Sequence, residues 1–115
     1  MRYFIDTEFI DDGRTIEIIS LAIVAEDGRE YYAQNRDCHF RRASDWVRAN
    51  VYPHLSHFDI KRLRPYDGYY DSPGAHDVWR SRERMAADVR RFCDPEQYGK
   101  PELWGYYAAY EHVAL

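Results

Sequence analysis

The pattern of apolar and polar positions sorts this chain into strands first and alternating elements afterwards. In RYFIDTEFIDDG, residues 2 to 13, a short apolar run is interrupted by Asp6 and then Glu8. Successive strand residues face opposite ways, so the two carboxylates project together while Ile5, Thr7 and Phe9 face the other side. The first strand is expected from Arg2 to Asp6 or slightly beyond, closed by the turn-forming DDG at Asp11 to Gly13. TIEIISLAIVA, Thr15 to Ala25, is rich in β-branched residues and predicts a long second strand. Asp27-Gly28 is a two-residue hairpin signal, and EYYAQ after it completes three adjacent antiparallel strands.

Beyond this meander the period changes. Ala43, Trp46, Val47 and Val51 recur at helical spacing between Phe40 and Val51, with Ser44 and Asp45 suited to the first turn and Pro53 to the stop. Tyr52 to His76 shows no sustained period and is expected to be a long, partly ordered loop. Met85, Val89 and Phe92 form one stripe of a second helix that starts at Asp77 or Ser81 and ends at Cys93. Glu102 to Tyr107 has the composition of a buried strand, and AYEHVAL of the first turns of a helix. The order β-β-β-α-loop-α-β-α predicts a mixed α/β fold with helices on the sheet. The crossover rules place the last strand parallel to the first and beside it, which brings Glu111 close to Asp6 and Glu8.

Length and composition narrow the class. The 115 residues suit a single domain spanning 1–115. Two cysteines without metal-type spacing and an N-terminus unlike a signal sequence predict a reduced, cytoplasmic protein. No apolar stretch approaches the length of a membrane span, so no membrane partner is expected. The net charge of −4 argues against a simple electrostatic nucleic-acid binder. It hides an acidic start and end flanking a basic middle, an arrangement that suits cations at one place and phosphates at another.

Two carboxylates on one strand face repel unless something positive lies between them, and that something is either an arginine or a metal ion. The residues around the pair, with WVRANVYPHL, VWRSRERM and ELWGYYAAYEHVAL, resemble the small 3′-5′ exoribonucleases of actinobacteria and their phages. That family lies within the ribonuclease-H-like exonucleases with a four-acid signature. The likeness runs essentially from Arg2 to Leu115.

The resemblance implies a ribonuclease-H-like sheet and a metal-dependent 3′-5′ exonuclease acting on single-stranded RNA. It carries metal binding and catalysis onto Asp6, Glu8 and Glu111, the last standing where family members usually have aspartate. Mg²⁺ or Mn²⁺, hard cations that prefer carboxylate oxygens, are the implied cofactors: two ions in the family, with the first more firmly held here. The family's third motif, a histidine base followed by an aspartate, has no counterpart up to Leu115, so the domain is expected to be C-terminally incomplete. The alternative is a weakly active or inactive nuclease fold that binds RNA or a protein partner. Phe9 is placed to pack on a terminal base, Thr7 lies between the acids, and Lys61, Arg62 and Arg64 are placed to steer an RNA backbone. A second copy of the chain is a further candidate partner, through apolar surface left open by an unfinished sheet and helix layer.

Overall fold

Alternation in the first strand dictates which way everything else must pack. In the computed structural model, which describes residues 1–66 and 78–105, β1 is the strand Arg2–Asp11. Tyr3, Ile5 and Thr7 are buried on one face, and Phe4, Asp6 and Glu8 are exposed on the other. β2 (Ile16–Ala25) pairs antiparallel with β1, and β3 (Glu30–Asn35) antiparallel with β2. The hairpin between β2 and β3 turns at Gly28, whose φ of +93° is a left-handed conformation that glycine adopts without a Cβ clash. The meander therefore forms as its sequence predicts, with β1 running five residues further than its shortest expected extent.

The later elements complete the sheet at both edges. β6 (Trp79–Arg80) adds parallel to β3, and β7 (Glu102–Gly105) adds parallel to β1, giving the order β6-β3-β2-β1-β7. The parallel placement of the last strand beside the first matches the crossover expectation. Of the two helix starts expected, Asp77 and Ser81, the structure takes Ser81, and Trp79 before it extends the sheet. AYEHVAL and the C-terminal part of the long loop lie outside the described residues.

Each face of the sheet carries its own apolar cluster. Tyr3, Ile5, Leu21, Ile23, Ala33 and Met85 form one, beneath α2 (Arg82–Phe92). The Ser81 hydroxyl accepts from the Arg84 N–H and starts this helix, as the sequence allowed. Ile10, Ile19, Phe40, Tyr52, Phe58 and Trp79 form the other. Over it lie a 3₁₀ turn (Phe40–Arg42), α1 (Asp45–Asn50), a second 3₁₀ turn (Tyr52–His54) and the short pair β4 (Phe58–Asp59) and β5 (Arg64–Pro65). The helix expected between Phe40 and Val51 forms with Ser44 and Asp45 at its start: Ser44 caps it by accepting from the Val47 N–H at 3.2 Å, and the extended Ala43 separates it from the preceding 3₁₀ turn. A last short helix, α3 (Pro95–Tyr98), is capped by Asp94.

A register shift in β1–β2 lets the two clusters coexist. Glu8 pairs with Ser20 but Phe9 pairs with Ile18, so Ile19 is an extra residue in β2. Ile18 then packs in the α2 cluster and Ile19 in the other. The Asn35 side chain, fully buried, donates to the Ile18 carbonyl at 2.9 Å and accepts from the Asp37 N–H at 3.0 Å. A carbonyl near the end of the β2–β3 ladder is thereby satisfied.

Candidate metal centre

Asp6 and Glu8 stand on β1, an interior strand of the sheet, on the same face, and both are exposed. Ala22 lies across from Asp6 and Ser20 across from Glu8, both small enough to leave the carboxylates room. The next strand places Tyr32 and Gln34 behind these two. One pocket, lined by Asp6, Glu8, Ser20, Tyr32, Asn50 and His54 among others, opens on one side of the pair. A second pocket, bordered by Phe9, Asp11, Ser44, Trp46, Val47 and Val51, takes in the same two acids.

The walls of the first pocket are held by buried polar bonds rather than by chance packing. The Gln34 amide, fully buried, donates to the Ser56 carbonyl at 2.9 Å and accepts from the Ser56 N–H at 2.8 Å. Its oxygen also accepts from the Tyr32 hydroxyl at 2.7 Å. These bonds clamp the segment after the second 3₁₀ turn onto β3, and so set His54 and Leu55 beside Glu8.

Solvent reaches Glu8, yet its carboxyl is raised above the usual range. Burial at the pocket wall is the main cause and the Asp6 charge the next, while His54 works in the opposite direction. A cation between the two oxygens would relieve that repulsion, and hard divalent ions favour such donors. Among the described residues no group of three or more His, Cys, Asp or Glu side chains is set to hold a metal. Asp6 and Glu8 are a pair, and Glu111, the third expected ligand, lies outside the described residues.

The remaining predicted residues separate. Phe9 is half-buried and lines the acid pocket. Thr7 borders it, but its hydroxyl is buried with no hydrogen-bond partner. Lys61 and Arg62 sit in the β4–β5 turn, where their N–H groups both donate to Asp59 Oδ1 at 3.1 Å. Arg64 lines neither acid pocket and borders a separate groove with Arg36, Arg41 and Arg42. Trp46 is the residue whose role the sequence pattern hid. Its spacing fits the apolar stripe of the helix, but it is 66% exposed and lines the acid pocket, while Ala43, Val47 and Val51 take the core side. No local signal marks it, because the acids it faces lie some forty residues away in the chain.

Fold and site together define a mixed α/β protein with a pair of carboxylates on an interior strand of its sheet, open to a pocket with aromatic walls. Two curated proteins, from two strains of Mycobacterium tuberculosis and each named a 3′-5′ exoribonuclease, are 44% identical to this chain over all 115 residues. The chain spans 59% of the length of each. No family profile matches it.

Proposed function

We propose that this chain is a metal-dependent 3′-5′ exoribonuclease domain of ribonuclease-H-like fold, hydrolysing phosphodiester bonds at the 3′ end of single-stranded RNA. The observation that carries the reading is the exposed Asp6–Glu8 pair on β1, in a chain similar along its whole length to proteins named for that activity. When bound, Mg²⁺ or Mn²⁺ would supply an activated water and neutralise charge on the phosphate and the leaving 3′ oxygen. Asp6 and Glu8 would hold the ions, with Glu111 as the further carboxylate. Phe9 and Trp46 flank the acids with apolar surface on which a terminal base stacks, an interaction that tolerates any sequence. Raised by burial and by Asp6, Glu8 must lose its proton before it can hold a cation. Activity should therefore fall as pH drops through that raised value.

The test is Mn²⁺-dependent trimming of a 5′-labelled single-stranded RNA by the full chain. Asp6→Ala and Glu8→Ala should each lower the rate about 100-fold or more. Equal trimming by all three proteins would assign the activity to a contaminant. If none of them trims and all bind RNA alike, the chain binds without cutting.

A further inference from the structure

Two pockets meet at the acid pair, and they differ in size and in chemistry. We propose that the smaller, polar one receives the ribose that carries the leaving 3′ oxygen, with the Asn50 side-chain oxygen accepting a hydrogen bond from that sugar's 2′-hydroxyl. The identity of the sugar rests on the exoribonuclease reading.

The sheet and α1 set the positions. The larger pocket, about 650 Å³, has Trp46 and Val47 of α1 on its wall. The smaller, about 240 Å³, extends over β2 and β3, from Ser20 and Ala22 to Tyr32, and is closed by Asn50 and His54. Asp6, Glu8 and Val51 line both pockets and so form the wall they share. A phosphodiester joins two sugars. With its phosphorus held at the acids, the terminal nucleoside and the sugar bearing the leaving 3′ oxygen fall on opposite sides of that wall. The roomier aromatic pocket takes the terminal base, which leaves the polar pocket for the second sugar. The 2′-hydroxyl of this sugar sits on the carbon next to the one that carries the leaving oxygen.

The polar pocket suits a neutral sugar better than a further phosphate, because no arginine or lysine is among the described residues that line it. Two of its hydroxyls are already engaged in the wall. Tyr32 donates to Gln34 Oε1 at 2.7 Å, and the Ser20 hydroxyl bonds to Tyr32 in turn. Asn50 is different. Its side chain lies 2.9 Å from the Trp46 carbonyl, which can only accept, so the atom on that side is the amide nitrogen and the oxygen is the other. Among the described residues that oxygen has no hydrogen-bond partner. The bond to Trp46 fixes the side chain at the end of α1, beside Val51 of the shared wall. The Gln34 clamp on Ser56 holds the turn that follows, so the pocket is formed before RNA arrives. A 2′-hydroxyl can donate to the Asn50 oxygen, whereas a deoxyribose leaves it without a partner.

The experiment follows the first cleavage of short 5′-labelled RNAs by the full chain in Mn²⁺. The substrates are an all-ribose RNA and the same RNA with one 2′-deoxy sugar, at either the next-to-last or the last position. The next-to-last deoxy sugar should cost the parent about fivefold in kcat/KM, the worth of one neutral hydrogen bond. Asn50→Ala should slow the all-ribose substrate and bring that ratio below about twofold, since the accepting oxygen is gone. Its ratio for the last-position deoxy sugar should stay at the parent's value. Trp46→Ala should keep the next-to-last ratio, because Trp46 lies in the other pocket. Unchanged melting temperatures confirm folding of both variants. The same ratios taken from equilibrium affinities in EDTA need no cleavage. If the parent trims RNA but its next-to-last ratio is below about twofold, or survives Asn50→Ala, the sugar site is overturned while the exoribonuclease reading stands. If the parent does not trim, that reading fails and the affinities decide. A next-to-last ratio lost in Asn50→Ala then supports the sugar site, and its absence overturns it.

Discussion

At the residue scale the decisive group is Glu8. Its carboxyl is raised by burial first and by Asp6 second, and restrained by His54. Removing the Asp6 charge as Asp6→Asn should bring the Glu8 titration downward while leaving it above 4.5, because the larger cause stays in place. His54→Ala should move it the other way. Carboxyl-carbon NMR titration reads both, and a Glu8 midpoint indifferent to either change would show that the groups do not interact. The stability sign follows. Without divalent cations, Glu8 contributes stability that is fully present below its ordinary value of 4.5 and is lost as pH rises through the raised folded value. Trp46 makes the complementary case. With two-thirds of its surface exposed, Trp46→Ala should leave stability within about 0.5 kcal/mol. RNA binding should weaken by about 1 to 3 kcal/mol if a base stacks on it, and equilibrium binding in EDTA measures the difference.

At the scale of elements, the bulge at Ile19 and the Asn35 side chain that serves it decide how β1 and β2 present their two faces. Asn35→Ala leaves the Ile18 carbonyl and the Asp37 N–H without their partners in a buried place. A loss of about 2 kcal/mol is expected in urea unfolding, within the usual range for an orphaned buried group. A loss below about 0.5 kcal/mol would mean that water or backbone adjustment replaces both bonds. None of this is visible in the local pattern of β2, whose β-branched run predicts an unbroken strand equally well. α2 lies at the opposite pole, since its cap at Ser81 and its stripe of Met85, Val89 and Phe92 are both short-range features.

For the whole molecule, Asp88 ties three elements together. It is buried on α2, accepts from the Tyr31 hydroxyl of β3 at 2.8 Å, and pairs with Arg80 of β6 and with Arg91. Burial works to raise its carboxyl, but the bonds from Arg80 and Tyr31 and the charges of Arg80 and Arg91 outweigh it and leave it lowered. Its stabilisation is therefore present above the ordinary value of 3.8 and lost as pH falls through the lower folded value. Asp88→Asn should destabilise the fold by about 3 kcal/mol at neutral pH, as breaking a buried pair does. It should also flatten the acid limb of stability against pH, which thermal melts from neutral to about pH 2 would show. An acid limb as steep as the parent's would place the responsible carboxylate elsewhere: Asp12, held low by the Thr15 and Arg14 N–H groups and by Arg42, or Glu17, held low by its bonds to His39 and Cys38 against the burial that raises it.

The sequence alone determined what depends on near neighbours. Alternation in β1 puts Asp6 and Glu8 on one face, Asp27-Gly28 turns the hairpin, and the stripe and cap of α2 specify that helix. The side-chain periods of 2 and 3.6 residues are written over a few positions and survive without the rest of the chain. Only the tertiary structure decided the matters that join distant residues. It made a sheet edge of Trp79–Arg80, turned Trp46 out toward the acids, and brought Arg36, Arg41, Arg42 and Arg64 to one groove. Each of these is settled by which surface the second apolar cluster covers, and residues far apart in the chain compete for that burial in ways that no short window records.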